Sequence, residues 1–306
     1  LIYEIFKFYK SNWWIKNLKL LILGGNGMIG HALVEKMMQY HTIKATLRNK
    51  FDSYKNLRVD NKDLYIDELN ILNFELFKNR VASYAPDVII NAIGITKQRI
   101  NKFSSKEVSL INSDFPHQLA KLCNQLSIKL IHLSTDCVFS GKKGFYNLND
   151  VPDADDLYGM SKIKGEIKYK NTLTLRKSTI GFEINDKKGL LEWFLMQKDE
   201  ISGYTNAIFS GITNLELAKI LLFILDKSRN LEGIYHVSSS PIDKYTLLNI
   251  IKEKLKLNSI HIKPYEHFKC DRSLDGSFFA KKTGYTVPGW ELMIDELINF
   301  KKYRIN

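Results

Sequence analysis

The stretch of sequence that decides the fold is KLLILGGNGMIG, residues 19–30. Its first five residues form an apolar run of strand length, and Gly24, Gly27 and Gly30 then follow at intervals of three. Residues 31–39 continue with apolar side chains at helical spacing. A strand, a glycine-rich turn and a helix in this order are typical of dinucleotide binding. The glycines allow close backbone approach, and the helix N-terminus attracts a pyrophosphate.

The next 150 residues alternate short apolar runs with segments of helical spacing. Apolar runs of strand length lie at residues 43–47, 64–69, 88–92, 129–133 and 172–175. Helical patterns lie at residues 73–84, 107–126 and 158–170. This alternation predicts an α/β fold, a Rossmann-type doubly wound parallel sheet with helices on both faces. Such sheets bind ligands at the carboxyl ends of their strands, where residues 24–30, 92–94 and 134–136 are expected to meet.

The pattern becomes less regular after residue 180. Helices are predicted at residues 189–198, 214–227, 244–255 and 290–302, and a short strand at 233–237. We therefore predict three parts. Residues 1–17 form an N-terminal extension, and residues 18–180 form an NAD(P)-binding Rossmann domain. Residues 181–306 form mainly a smaller substrate-binding lobe, with segments that return to the main sheet.

Composition narrows the class of protein. The 306 residues carry a net charge of +12, but the positive residues are spread along the chain and no nucleic-acid motif is present. The charge fits either attraction of an anionic substrate or a solvated lysine-rich surface. Three widely spaced cysteines favour a reducing cytoplasm, and the seven histidines show no metal-binding spacing. No apolar run approaches the ~20 residues that a membrane span needs.

A hydroxyl, a phenol and an ammonium occur in the order that a carbonyl reductase needs. Thr135 follows the strand at 129–133, and Tyr158 and Lys162 lie four residues apart on a predicted helix, so that they share a face. A nearby lysine cation favours the phenolate and is expected to lower the pKa of the tyrosine. The alternative interpretation of this pair is a surface tyrosine and lysine on an ordinary helix.

The end of the second strand bears on the choice of nicotinamide cofactor. Arg48 and Lys50 favour the 2′-phosphate of NADP(H), whereas Asp52 leaves NAD(H) possible. These side chains could alternatively be solvated charges in a loop.

Four motifs together resemble the extended short-chain dehydrogenase/reductase superfamily. They are GGNGMIG at 24–30, NAIG at 91–94, STDCVFSG at 134–141 and YGMSKIKGE at 158–166. Within that superfamily the chain most resembles the dTDP-4-dehydrorhamnose reductase family. Further support comes from residues 175–178, 209–213 and 271–275.

The resemblance implies NAD(P)H-dependent reduction of a 4-keto sugar attached to a nucleotide, for surface polysaccharide. It implies that Tyr158 is the general acid, that Lys162 binds the nicotinamide ribose and that Thr135 binds the carbonyl oxygen. The predicted cofactor contacts are Gly24, Gly27, Met28, Ile29, Gly30, Arg48, Asn91, Ala92, Gly94, Tyr158 and Lys162. The predicted substrate-site residues are Asp136, Asn112, which supports the site geometry in the family pattern, and Arg272. The expected partners are a nucleotide-diphosphate sugar and, as an open possibility, a second copy of the chain.

One departure from the family pattern leaves the sugar open. Cys137 stands where the rhamnose-type reductases usually carry Tyr and the 4,6-dehydratases carry Glu, which disfavours dehydration. A UDP-linked N-acetyl sugar is therefore an alternative substrate. An epimerase with tightly held NAD⁺ and a non-catalytic, cofactor-binding regulatory subunit are the alternative functions.

Overall fold

The structure is a computed structural model that describes residues 17–184 and 187–302. The predicted N-terminal extension lies outside the described residues, except for Asn17, whose side chain accepts the backbone N–H of Thr42 at 2.8 Å. Among the described residues, no helix has both the length and the apolar character needed to cross a membrane.

A seven-stranded sheet forms the centre of the fold, and every pair of neighbouring strands in it is parallel. Its strands are β1 (Lys19–Leu23), β2 (Thr42–Thr46), β3 (Tyr65–Ile66), β4 (Val88–Asn91), β5 (Lys129–Leu133), β6 (Thr172–Arg176) and β11 (Gly233–His236). Their order across the sheet is β11-β6-β5-β4-β1-β2-β3. The chain reverses its direction of winding between β1 and β4, and ligands bind at such a switch point. The predicted fold class is confirmed.

Helices cover both faces of this sheet because strand side chains alternate between them. Leu20 and Ile22 of β1 belong to one apolar cluster, whereas Leu21 and Leu23 belong to another. The helices are α1 (Gly30–Met37), α2 (Phe74–Tyr84), α3 (Ser105–Ser109), α4 (Phe115–Gln125), α5 (Leu157–Lys164), α6 (Leu190–Leu195), α7 (Asn214–Lys227), α8 (Lys244–Leu255), α9 (Ser277–Thr283) and α10 (Trp290–Lys302).

Three predicted helices differ from the observed ones by more than two residues at one end or by an interruption, and one of them is the helix predicted at 189–198, which spans only Leu190–Leu195. The helix predicted at 158–170 ends at Lys164, because Gly165 packs closely against a neighbouring turn. A Cβ atom at Gly165 would lie 1.9 Å from the carbonyl oxygen of Asn112. The helix predicted at 107–126 is interrupted by a π-helical turn, Leu110–Asp114, which separates α3 from α4.

The region after residue 180 adds several very short strands. They are β7 (Thr179–Ile180), β8 (Glu200–Tyr204), β9 (Ala207–Phe209), β10 (Ile212–Thr213), β12 (Ile242–Asp243), β13 (His261–Tyr265) and β14 (Cys270–Asp271). They pair as β10-β7, β12-β9-β14 and β13-β8. The strand predicted at 233–237 is β11, which joins the main sheet beside β6.

Candidate active site

The glycine-rich turn after β1 depends on two of its glycines. Gly24 has φ +85, in the left-handed region that favours glycine, and its carbonyl oxygen accepts the N–H of Gly27 at 3.1 Å. A Cβ atom at Gly30 would lie 1.9 Å from that same oxygen. Any side chain at Gly30 would therefore push the start of α1 away from the end of β1.

The start of α1 fits the pyrophosphate of a dinucleotide. Ile29 stands at the N-cap without a side-chain hydrogen bond, and the first turn contains no acidic residue. The first N–H groups and the positive end of the helix dipole consequently favour an anion. The carbonyl of Met28 accepts a hydrogen bond from Asn214 Nδ2 at 2.8 Å, which ties the turn to α7. The sequence analysis did not assign a role to Asn214. The only available signal was its position as the first residue of the helix predicted at 214–227.

Arg48 is exposed just beyond the end of β2, as are Lys50 and Asp52. Hydrogen bonds from Ser104 lower the pKa of the Glu107 carboxyl, and the nearby Arg48 guanidinium lowers it further. Arg48 therefore lies close to the start of α3, with its side chain in solvent. A 2′-phosphate contact at Arg48 stays a prediction.

The loop after β4 is held by a buried amide. Asn91 Nδ2 lies 3.1 Å from His132 Nδ1, and Asn91 Oδ1 accepts the N–H of Ile93 at 3.1 Å. Ala92 is half-buried and Gly94 is exposed. Asn91 thus shapes the loop from inside, while Ala92 and Gly94 are its more accessible residues.

Thr135 and Asp136 follow β5 and are both buried. Thr135 Oγ1 donates to Asp136 Oδ1 at 3.0 Å and accepts the N–H of Cys137 at 3.1 Å. The side chains of Thr135 and Tyr158 are also hydrogen-bonded to each other. The structure therefore brings the predicted hydroxyl and the predicted phenol together.

Tyr158 and Lys162 lie on α5, whose start is capped by Asp156 Oδ1 accepting the N–H of Gly159 at 2.7 Å. Lys162 is buried and its Nζ donates to the carbonyl of Leu133 at 3.0 Å, at the end of β5. Burial lowers the pKa of Lys162 to about 8, and the neighbouring Lys177 lowers it as well. Lys162 thus remains largely protonated at neutral pH.

The pKa of Tyr158 differs from the sequence prediction. Burial of its hydroxyl raises this pKa above its ordinary value, and the hydrogen bond with Thr135 lowers it by less. Desolvation is the largest influence on this pKa, and the lowering that the sequence predicted from Lys162 is not among its causes. Tyr158 is a neutral phenol at pH 7, which is the form that a proton donor requires.

Asn112 is buried in the π-helical turn, and its amide is fully engaged. Its Oδ1 accepts the N–H of Ile95 at 2.8 Å, while its Nδ2 donates to the carbonyl of Ile95 and to Ser161 Oγ, both at 3.0 Å. It therefore links the loop after β4 to α5. This geometry fits the predicted support of the site rather than direct contact with a substrate.

Arg272 follows β14 and joins the later part of the chain to the loop after β5. Its Nε donates to the carbonyl of Phe139 at 2.8 Å, and its Nη2 donates to that of Ser140 at 3.2 Å. Its guanidinium is close enough to Asp136 and Asp156 for their charges to interact. The structure thus brings Arg272 near the predicted site.

Two further cations lie near Asp136, and sequence reasoning assigned a role to neither. Lys177 is buried directly after β6, and burial lowers its pKa to about 8. Lys244 Nζ lies 3.8 Å from the centre of the Phe209 ring and interacts with the charge of Asp136. The available signal for Lys177 was its place at the carboxyl end of a predicted strand.

Cys137 has the properties of a packed thiol rather than a nucleophile. Burial raises its pKa to about 12, and the charge of Asp136 raises it further. The thiol is consequently protonated at neutral pH, which leaves it unreactive. Among residues 17–184 and 187–302, no cluster of three His, Cys, Asp or Glu side chains could hold a metal ion.

A buried polar network, also missed in the sequence, lies beneath the loop after β5. Glu166 accepts hydrogen bonds from Ser134 Oγ at 2.9 Å and from Arg176 Nε and Nη2 at 2.8 and 2.7 Å. Arg176 Nη1 lies 3.2 Å from His236 Nε2, and His236 Nδ1 lies 3.0 Å from the carbonyl oxygen of Tyr146. The network fixes Ser134 and therefore the position of Thr135.

A protein-family model described as the RmlD substrate binding domain matches residues 18–280. The chain belongs to this family. This RmlD-family chain is 25% identical over 230 residues to the probable low-salt glycan biosynthesis reductase Agl14 of Haloferax volcanii, covering 71% of the chain and 73% of that protein. It is 27% identical over 235 residues to a dTDP-4-dehydrorhamnose reductase of Aggregatibacter actinomycetemcomitans, covering 73% and 74%.

Two solved structures show the same fold as this RmlD-family chain. The dTDP-4-dehydrorhamnose reductase of Bacillus anthracis, in complex with NADP, superposes with a TM-score of 0.76 at 20% identity, covering 92% of this chain and 99% of that one. The Bordetella bronchiseptica enzyme WbmG, in complex with NAD, superposes with a TM-score of 0.74 at 16% identity, covering 94% and 95%.

A relative of a different kind is the methionine adenosyltransferase 2 subunit beta of Bos taurus. It is 25% identical to the RmlD-family chain over 154 residues, which cover 50% of the chain and 42% of that protein.

Proposed function

We propose that the chain is an NAD(P)H-dependent reductase of a nucleotide-linked 4-keto-6-deoxy sugar, a precursor of surface polysaccharide. The observation that carries the proposal is the neutral phenol of Tyr158, hydrogen-bonded to Thr135 and followed one helical turn later by the buried ammonium of Lys162. These groups lie at the carboxyl edge of the sheet, as does the glycine turn after β1.

Each group has a separate task in the proposed reduction. A reduced nicotinamide, when bound, supplies a hydride to the carbonyl carbon. Tyr158 and Thr135 present two hydroxyl groups to the carbonyl oxygen, where negative charge develops, and Tyr158 gives that oxygen its proton. Lys162, anchored to the carbonyl of Leu133, keeps a positive charge beside Tyr158 and favours loss of the phenol proton.

The residues proposed to bind the cofactor and the substrate lie at the same edge of the sheet. Gly24 to Gly30 and α1 would hold the pyrophosphate, and the exposed Arg48 and Lys50 favour NADP(H). The Bacillus anthracis relative in complex with NADP supports that preference, and WbmG in complex with NAD keeps NAD(H) open. Arg272 and Asp136 would face the nucleotide-sugar. The cytoplasmic location, the domain division and the homodimer stay predictions.

The experiment compares NADPH oxidation by wild type and Tyr158→Phe in the presence of nucleotide-linked 4-keto sugars. We expect the variant to be slower by about 10²–10⁴-fold, because it lacks the general acid. Tyr169→Phe is the matched control, since Tyr169 is exposed beyond the end of α5 and packs on His117. Equal NADPH consumption by wild type and Tyr158→Phe would refute the assignment.

A non-catalytic regulatory subunit is the second candidate, favoured by the similarity to the methionine adenosyltransferase subunit. Such a subunit would bind NADP(H) without turning over any keto sugar. The intact arrangement of Thr135, Tyr158 and Lys162 supports the enzyme instead. An epimerase would keep its cofactor through purification and would consume no NADPH in this assay, although it would still convert the sugar.

A further inference from the structure

Lys177 is a buried cation that forms no side-chain hydrogen bond or salt bridge within the part of the chain that the structure describes. It directly follows β6, only 8% of its surface is exposed, and its carbonyl oxygen accepts the N–H of Asp136 at 3.3 Å. Within residues 17–184 and 187–302, its Nζ forms no hydrogen bond or salt bridge. Buried charges in proteins are normally paired, so this one calls for a functional explanation.

The charges around Lys177 do not neutralise the site. Lys177 interacts with the charges of Lys162, Asp136, Cys137 and His132. Burial lowers the pKa of Lys177 to about 8, and Asp136 partly opposes this, so that the ammonium is largely protonated at pH 7. Cys137 and His132 are neutral at that pH, because burial raises the pKa of the thiol and lowers that of the imidazole. Asp136 thus interacts with Lys177, Lys244 and Arg272, while the carboxylate that acts on Lys162 is Glu166, which is already paired with Arg176.

We propose that Lys177 makes the site bind the reduced nicotinamide in preference to the oxidised one, which favours loading of the reduced cofactor and release of the oxidised one. This inference rests on the proposed function. In the reduction, two electrons and one hydrogen nucleus pass to the carbonyl carbon, and Tyr158 supplies a proton to the carbonyl oxygen. A bound nicotinamide that released the hydride would change from neutral to positively charged. A neighbouring ammonium disfavours that charge.

A nicotinamide bound for this reaction would lie within reach of Lys177. Reacting atoms approach to about 3–3.5 Å, so the nicotinamide must lie next to a carbonyl whose oxygen meets Tyr158 and Thr135. Thr135 is hydrogen-bonded to Asp136, which is in turn bonded to the Lys177 backbone. Two unit charges roughly 7 Å apart at an effective dielectric constant near 20 change a binding constant by roughly tenfold to fiftyfold.

The test is the ratio of the dissociation constants of NADP⁺ and NADPH, each measured by titration calorimetry without any sugar. Lys177→Met removes the charge while keeping an unbranched side chain, and we expect the ratio to fall about tenfold, mainly through tighter NADP⁺ binding. Lys177→Arg should preserve the ratio. Lys164→Met, which removes an exposed lysine from the same helix as Lys162, should also preserve it.

An unchanged ratio in Lys177→Met and in a second neutral variant, Lys177→Gln, would overturn the inference, provided that both bind NADPH. So would an unchanged ratio accompanied by a raised KM for the sugar, which would make Lys177 a substrate contact. These results are distinguishable from failure of the proposed function, because that failure appears as full activity of Tyr158→Phe. If wild type bound neither nicotinamide, both proposals would be wrong.

Discussion

Arg176 and Lys177 are adjacent buried cations at the end of β6, yet their surroundings are opposite. The Arg176 guanidinium holds Glu166 through two hydrogen bonds and lies beside His236. The Lys177 ammonium has no hydrogen-bond or salt-bridge partner in the described part of the chain. A fully paired buried charge supports the framework of the site, whereas an unpaired one is retained at a cost in stability. Arg176 therefore has a structural role, whereas the adjacent Lys177 is expected to have a functional one.

Removing Glu166, the acidic partner of Arg176, should have the largest effect on stability of the changes that test this contrast. Glu166→Gln leaves the guanidinium buried without a counter-charge, and we expect a loss of about 3–5 kcal/mol in the free energy of unfolding. Denaturant unfolding measures it. Glu75→Gln, in the exposed pair with Lys78, is the control and should cost less than about 0.5 kcal/mol. A loss as small in Glu166→Gln would contradict the scaffold role.

Lowering the pH tests the network of Glu166, Arg176 and His236, because it protonates His236. Burial, followed by the charge of Arg176, lowers the pKa of His236 from 6.5 to about 4. Between these pH values the unfolded chain binds a proton that the folded chain does not, so stability falls as pH falls through this window. The shift corresponds to about 3 kcal/mol. Unfolding free energies measured from pH 7 to pH 4 should decline less steeply in His236→Gln, with buried His132 supplying a residual slope of the same sign.

Removing the charge of Lys177 should raise the free energy of unfolding, and by less than the loss of Glu166 lowers it. Because the folded pKa of Lys177 is about 8, below its ordinary 10.5, Lys177→Met should stabilise the protein by about 1–3 kcal/mol at pH 7. The gain should shrink as pH rises from 8 towards 10.5, where the unfolded lysine also loses its proton. Thermal unfolding at pH 7 and pH 10 measures it. A destabilised Lys177→Met would mean that the ammonium is structurally paired.

Sequence patterns located the elements that depend on local periodicity. The strand at residues 129–133 and the helices at 214–227, 244–255 and 290–302 have the predicted bounds. Strands of two or three residues, such as β7 and β10, are too short to show a period of two.

The missed features of the site depend on distant contacts. The end of α5 is set by the approach of Gly165 to Asn112, and the buried network joins Arg176 to His236 across 60 residues. No local pattern contains such pairings. The sequence placed Lys177 at the end of a strand, but only the folded chain shows that its ammonium forms no hydrogen bond or salt bridge with the described residues.

The position of β11 bears on how the chain is made and how it can be cut. Since β11 covers β6, a fragment ending near residue 180 would leave β6 as a bare edge, open to pairing with other molecules. Closing the β6–β11 pair also requires a long loop to form first, which slows folding. On the ribosome, the outer side of β6 consequently stays uncovered until residues 233–236 have emerged.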